Sequence, residues 1–219
     1  MALGVTTFFR LVFAVGKGLI QGLPEITETQ DPIELFGEWY DLACRSQLLF
    51  PDAVTLATST AEGKPSARMV LLKSFDERGF VFFTNYGSRK ASELKENPHA
   101  ALVFYWGPLQ RQVRVEGQVE LLEHDDSEAY FRTRPRGSQI GAWTSRQSAV
   151  LRERQDLERQ FAHYQREFAG RDVELPEFWG GFRVAPERIE FWQGKANRLH
   201  DRIHFTRTPD GWTVVRLYP

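Results

Sequence analysis

Four short stretches of the chain carry residue types that bind anions or move protons. The first is Arg68-Met69-Val70-Leu71-Leu72-Lys73, two cations bracketing an apolar run. Alternate residues of a regular strand face opposite sides, so Arg68 and Lys73, an odd number apart, are expected on opposite faces. That pattern suits a ligand with a charged tail and a flat body, and two solvated strand ends would read the same way. The second is Thr84-Asn85-Tyr86-Gly87-Ser88-Arg89-Lys90, a strand, a turn and a helix start. Free N–H groups at a helix N-terminus attract anions. Basic residues in a first turn oppose the helix dipole, so Arg89 and Lys90 fit better with an external anion beside them. The third runs from Tyr130 to Ser138 and holds Arg132, Arg134 and Arg136. Tyr130 and Arg134 share a face if helical, and with Ser138 they could form a second anion cradle. The fourth, Glu190 to Arg202, holds an aromatic pair, a loop, and then Arg198, His200, Asp201 and Arg202. His200 is a candidate acid or base near neutral pH, and a structural histidine would look the same.

The elements that must position these residues are legible in the periodicity. Asp31-Pro32 reads as an N-cap followed by proline at the first helical position. Ile33, Phe36, Trp39, Tyr40 and Ala43 then repeat at helical spacing, predicting a helix to about Gln47, with Cys44 on it as a small buried hydrophobe. Beyond Asp52 the texture is β-branched, and strands are expected at 53–60, 66–74, 80–85, 100–106 and 110–122. Ser88 is expected to cap a short helix from Arg89 to Asn97. Residues 125–170 read as helices interrupted at Pro135 and Gly137. Strands resume at 181–184, 188–193, 201–207 and 212–217. The sum is an α+β chain, an antiparallel barrel with peripheral helices.

Residues 1–30 read as an N-terminal arm, a short helix and a linker, before a body over 31–219. Phe8, Leu11, Val12, Val15 and Leu19 fall on one helical face, suited to packing on the body or a second subunit, with a membrane surface as the alternative. Arg10 splits the apolar run, no basic residue precedes it, and it is shorter than a membrane span. No membrane contact is expected.

Composition narrows the function. Lys plus Arg is 28 against 29 for Asp plus Glu, a net charge of −1, so no global basic field exists to hold nucleic acid. The cations comprise 22 Arg and 6 Lys; Arg grips phosphate and carboxylate in a fork, although base composition also favours its codons. A single cysteine rules out an intramolecular disulfide framework and points to a reducing cytoplasm. No cluster has metal-ligand spacing, so no metal is expected. Dinucleotide and Walker loops are missing, as is a nucleophile elbow.

The stretches RMVLLK (68–73), FFTNYGSRKASEL (82–94), RQVRVEG (111–117), YFRTRPRGSQIGAW (130–143), RQS (146–148), FWGGFRV (178–184), EFWQG with NRLHDR (190–202) and the terminal RLYP occur in one order. In this the chain, from about Asp31 to Pro219, resembles the pyridoxine/pyridoxamine 5′-phosphate oxidase family. The resemblance implies an FMN-binding split barrel working as a homodimer with FMN at the subunit interface. It implies oxidation of pyridoxamine or pyridoxine 5′-phosphate by O2 to pyridoxal 5′-phosphate, with hydrogen peroxide, and ammonia from the amine, in vitamin B6 metabolism. A split-barrel flavin reductase with another substrate, or a non-catalytic pyridoxal phosphate carrier, are the alternatives.

By the same resemblance, Arg68, Met69, Val70, Leu71, Leu72, Lys73, Phe83, Thr84, Arg89, Lys90, Gln112, Gln147, Ser148, Trp192 and Arg202 match FMN-contacting positions. Lys73, Tyr130, Arg134 and Ser138 match a substrate-phosphate cradle. Arg198, Leu199 and His200 match the segment that holds the substrate ring, with Arg198 and His200 as the catalytic pair. Gln147-Ser148 and Arg68 are expected to serve one site from different chains. Two positions depart from the family: Val15 and Gly18 stand where an Arg and a Tyr often cover the substrate, and Phe83 replaces a frequent Tyr.

Overall fold

The computed structural model describes residues 30–219; the expected arm helix and the Val15 and Gly18 positions lie outside them. Helix α1 (Pro32–Arg45) opens as expected, with the Asp31 carboxylate accepting from the backbone N–H groups of Ile33 and Glu34 at 2.6 and 3.2 Å. It stops two residues before Gln47. Ile33, Phe36, Trp39 and Ala43 are buried, whereas Cys44 is exposed, one position round the helix from the apolar stripe. The expectation of a buried thiol is corrected by that rotation.

Among the described residues, nine strands then build one curled antiparallel sheet: β1 (Ala53–Ser59), β2 (Pro65–Leu71), β3 (Ser74–Asp76), β4 (Gly79–Asn85), β5 (His99–Trp106), β6 (Arg111–Leu121), β7 (Trp179–Gln193), β8 (Asp201–Thr208) and β9 (Gly211–Leu217). The order is β2-β1-β5-β6-β7-β4-β3, with β8 and β9 continuing from β7. Helix α2 (Arg89–Glu96) follows β4, and α3 (His124–Thr133), α4 (Arg136–Thr144) and α5 (Arg154–Glu167) fill the connection from β6 to β7. No helix among the described residues is long and apolar enough to cross a membrane.

Three sequence expectations change. The strand expected over 66–74 ends at Leu71, where Leu72 turns into the core, 5% exposed, before the short β3 begins. Gly137 lies inside α4; the helical interruptions fall at 134–135 and 145–153. The strands expected at 181–184 and 188–193 are one strand. A bulge joins them: Glu116 pairs with Arg188 and Gly117 with Pro186, leaving Glu187 without an opposite residue. A Cβ at Gly117 would stand 1.9 Å from the Ala185 carbonyl oxygen, so glycine is required there. The bulge also admits Pro186 to an interior strand. It lets the first half of β7 pair with β4 and the second half with β8, the bend that curls the sheet.

The barrel core centres on Phe36, whose ring lies edge-on to Phe75, Phe80 and Phe104 at 4.8, 4.8 and 4.9 Å. Each fully buried side chain of this size contributes roughly 1.5–3 kcal/mol. A second apolar cluster, with Phe131, Ile140, Phe168 and Trp179, seats α3–α5 against the start of β7. Between these helices and the β2–β4 face lies a cleft lined by both.

Candidate active site

The cleft has a volume of about 1,030 Å³ and one strongly cationic end. That end is built where β4 runs into α2. Ser88 holds the N-cap position, but its side chain makes no capping bond. The Arg89 N–H instead donates to Ser148 Oγ at 3.1 Å, reached across 59 residues. Ser148 has φ +74°, a left-handed conformation that turns its hydroxyl toward the helix start. Lys90 is 7% exposed. Its Nζ donates to Thr84 Oγ1, Ser88 Oγ and Gln147 Oε1 at 3.1, 3.2 and 3.2 Å, with no carboxylate among them. Burial, helped by the nearby Arg68 charge, pulls its ammonium down to about 8. Such a lysine gains from any anion that reaches it.

Arg68 enters the same cleft from β2, supported by Glu93, which the sequence reading did not single out. Burial works against the Glu93 charge. Hydrogen bonds from Ser66, Thr58, Arg89 and Arg68 outweigh it and hold the carboxyl at about 2. Three cations around one paired carboxylate leave this end positive. Lys73 lines the same cleft as Arg68 rather than facing away from it. The strand parity argument fails because β2 ends before Lys73, whose Nζ meets Asp52 Oδ2 at 3.1 Å. Met69, Val70 and Leu71 line the cleft as well, whereas the Leu72 side chain is buried in the core.

The other end is aromatic. Phe83 stacks on Tyr130 at 4.0 Å and on Trp179 at 5.4 Å, with interplanar angles of 19° and 11°. The Arg134 guanidinium lies over Trp179, 4.5 Å from its ring. Arg134 sits just past the last turn of α3, and Ser138 stands in the first turn of α4, both facing the cleft. The Arg134 Nη1 is buried without a hydrogen-bond partner, and burial pulls the guanidinium below its ordinary range. A buried cationic donor left open at the wall of a cleft is a socket for an anionic ligand. In the sequence Trp179 has no signal beyond its place in the FWGGFRV stretch; β7 sets it beside Phe83.

The remaining candidates form a second group outside this cleft. Gln112, Trp192 and Arg202 lie side by side across β6, β7 and β8. The His200 ring lies 4.6 Å from Trp192. Its Nδ1 accepts from the Lys195 N–H at 3.1 Å. Because a peptide N–H can only donate, the neutral ring must carry its proton on Nε2. Asn197 and Arg198 have φ of +57° and +61°, consecutive left-handed residues that turn the loop sharply where Arg198 is presented. Leu199 is exposed. The Arg202 guanidinium is fixed by Glu190, Nε to Oε1 at 3.0 Å and Nη2 to Oε2 at 2.9 Å, and by the Tyr218 carbonyl at 2.9 Å. Three of its five N–H groups are thereby used, and two remain for a ligand.

The two groups sit at opposite ends of β7, one at Trp179 and the other at Trp192. At ~3.3 Å per residue they are separated by roughly 40 Å of strand. Gln147 and Ser148 belong with Arg68 and Lys90 in one chain's cleft. The expectation that they reach Arg68 from another chain is corrected: the loop from α4 to α5 carries them back to the start of α2. The division of the candidate residues falls along β7 instead.

A bent antiparallel sheet with helices closing a basic, aromatic cleft at one end is a split barrel. Residues 41–166 match the family model described as pyridoxamine 5′-phosphate oxidase, and residues 179–219 match the pyridoxine 5′-phosphate oxidase C-terminal dimerisation region. The chain belongs to the pyridoxamine 5′-phosphate oxidase family. It is 58% identical over 198 residues to a pyridoxine/pyridoxamine 5′-phosphate oxidase of Rubrobacter xylanophilus, covering 90% of this chain and 91% of that protein. It is 52% identical over 210 residues to one of Psychromonas ingrahamii, covering 96% and 97%. Among solved structures, PhzG of Burkholderia lata 383, in complex with tetrahydrophenazine-1-carboxylic acid, superposes with a TM-score of 0.86. Its identity is 30%, over 92% of this chain and 100% of that one.

Proposed function

We propose that the chain is an FMN-dependent oxidase that converts pyridoxine and pyridoxamine 5′-phosphate to pyridoxal 5′-phosphate with O2. The observation that carries this reading is the presence of two anion sockets in one cleft. One is the Arg68–Arg89–Lys90 end, and the other is the open Nη1 of Arg134 beside Tyr130 and Ser138. Cofactor and substrate each bring one phosphate, and the flat wall of Phe83, Tyr130 and Trp179 suits ring systems. A flavin reductase for an uncharged substrate would have no use for the second socket.

FMN is assigned to the α2 end, where Arg68, Lys90, Thr84, Gln147 and Ser148 would hold its phosphate and polar chain and Met69 to Leu71 would flank its body. FMN held there would supply a hydride acceptor for the substrate that O2 can reoxidise, with hydrogen peroxide as the by-product. Arg134, Tyr130, Ser138 and Lys73 hold the substrate phosphate. The Nε2–H of His200, fixed by the Lys195 N–H, donates to the phenolic oxygen of the substrate, and Arg198 clamps its ring. Arg202, held by Glu190, offers its two remaining N–H groups to the pyrimidine edge of the cofactor, where they counter negative charge. Since the Trp192 group lies at the far end of β7, a two-fold partner brings its copy to each cleft, in keeping with a C-terminal region that matches a dimerisation model.

The direct test is to purify the protein, sediment it with detection in the flavin band, and assay it in air. A yellow dimer that forms pyridoxal phosphate and peroxide is expected; a colourless protein, or a yellow one inert toward both vitamin phosphates, would overturn the assignment.

The depressed Lys90 gives the cofactor reading a pH signature. Above about 8 the apo-protein's Lys90 is largely neutral, and a phosphate beside it restores the proton. FMN binding should therefore take up a proton above that pH and none well below it, and affinity should fall as pH rises. Calorimetry in two buffers of different ionisation enthalpy measures the uptake. Lys90→Ala should abolish it and weaken FMN by about 10- to 150-fold, the worth of one charged hydrogen bond. Uptake that survives in Lys90→Ala would place the titrating group elsewhere.

A further inference from the structure

Glu93 lies under the cationic end of the cleft, where a negative charge works against an anionic ligand. Its side chain is 4% exposed. Thr58 Oγ1 and Ser66 Oγ each donate to Oε2 at 2.5 Å, Arg68 Nη2 approaches Oε2 at 3.2 Å, and Arg89 Nε donates to Oε1 at 2.8 Å. Both hydroxyls also accept from Arg68, Nη1 donating to Thr58 Oγ1 at 2.5 Å and Nη2 to Ser66 Oγ. One carboxylate thus ties β1, β2 and α2 together through two guanidinium groups. Arg68, Arg89 and Ser66 line the cleft, whereas Glu93 does not, so it meets a ligand only through its partners.

Burying a carboxylate is unfavourable unless it is fully bonded, and here it is. What the cluster provides is order. A long arginine side chain loses rotamer freedom when it grips a ligand, and fixing it beforehand removes that loss from binding. We infer that Glu93 is a positioning residue for the cofactor phosphate, holding the Arg68 and Arg89 guanidinium groups in the geometry that receives a phosphate monoester. This rests on the FMN reading above and extends it, since it gives an acidic residue a favourable part in an anion site. The opposite view, that Glu93 is a tolerated charge that weakens the site, differs in sign.

The test compares FMN with riboflavin, which has the same ring and side chain without the phosphate. Apo-protein is titrated with each, following flavin fluorescence, in wild type, Glu93→Ala, Glu93→Gln and Ser66→Ala. Glu93→Ala should weaken FMN by about 10-fold or more, as loss of charged hydrogen bonds implies, and leave riboflavin within about two-fold. Glu93→Gln, which keeps one acceptor oxygen, should recover part of the loss. Ser66→Ala keeps the charge and loosens its anchoring, so it should show a smaller loss of the same kind and carries the test if Glu93→Ala does not fold. An unchanged FMN-to-riboflavin ratio, an equal loss for both ligands, or tighter FMN in Glu93→Ala would each overturn the inference. A wild-type protein that binds the two ligands equally would overturn the phosphate reading itself, and this inference with it.

Discussion

Arg198→Met should leave the protein yellow and lower kcat/KM for reduction of its flavin by substrate by about 10- to 150-fold, the range for lost charged hydrogen bonds. The side chain has similar length and apolar bulk in both forms, so packing is nearly conserved. What disappears is the charge and the five-donor fork. Arg198 is presented by a turn with two successive left-handed residues, and no hydrogen bond among the described residues fastens its guanidinium to the fold. The loop itself is anchored independently: Gln193, fully buried, donates to the Leu109 and Gln110 carbonyls, and the Gly194 N–H donates to Gln110. The substitution should therefore change the substrate contact and not the loop. Anaerobic stopped-flow separates this half-reaction from oxygen chemistry. His200→Asn retains some hydrogen bonding and should be milder. Wild-type bleaching rates in Arg198→Met across substrate concentrations would show that the Arg198–His200 segment only shapes the loop.

Arg134→Ala should raise KM for pyridoxine 5′-phosphate by about 10- to 150-fold while FMN stays close to stoichiometric. Its guanidinium rests on Trp179 with Nη1 open, and it shares no hydrogen bond with Arg68, Lys90, Gln147 or Ser148. Removing it leaves the cofactor end untouched. The penalty should shrink greatly with unphosphorylated pyridoxine as substrate, because the lost contact is to the phosphate. Flavin loss in proportion to activity would mean that Arg134 serves the cofactor instead.

Much of this was legible in local sequence. The cap at Asp31, the strand periodicities and the basic start of α2 are set by neighbours within a few residues, and all survive in the fold. The motif residues marked a phosphate-binding protein before any contact was known. Errors arose where local rules meet long-range pairing. Parity placed Lys73 opposite Arg68 because it presumed an unbroken strand. A gap of three residues split β7 in two because a bulge cannot be told from a turn without its partner strand. Cys44 was assigned to the wrong side of α1 because it borders the apolar stripe.

Three things belonged to the tertiary structure alone. Gln147 and Ser148 join Lys90 and Arg89 only because the helical insertion folds back across some 60 residues, separations of 57 and 59 in the hydrogen bonds that result. Glu93, one turn from Arg89, has no signal of its own in the sequence, and is a buried anchor because β1 and β2 bring Thr58, Ser66 and Arg68 to it. And β7, a single strand bulged at Glu187 opposite Gly117 of β6, sets the Trp179 and Trp192 groups at opposite ends. Residue types and short spacings fix which chemistry a chain can perform; which of those residues share a cleft is decided by pairings between distant strands, where the register of one sheet moves every attached side chain together.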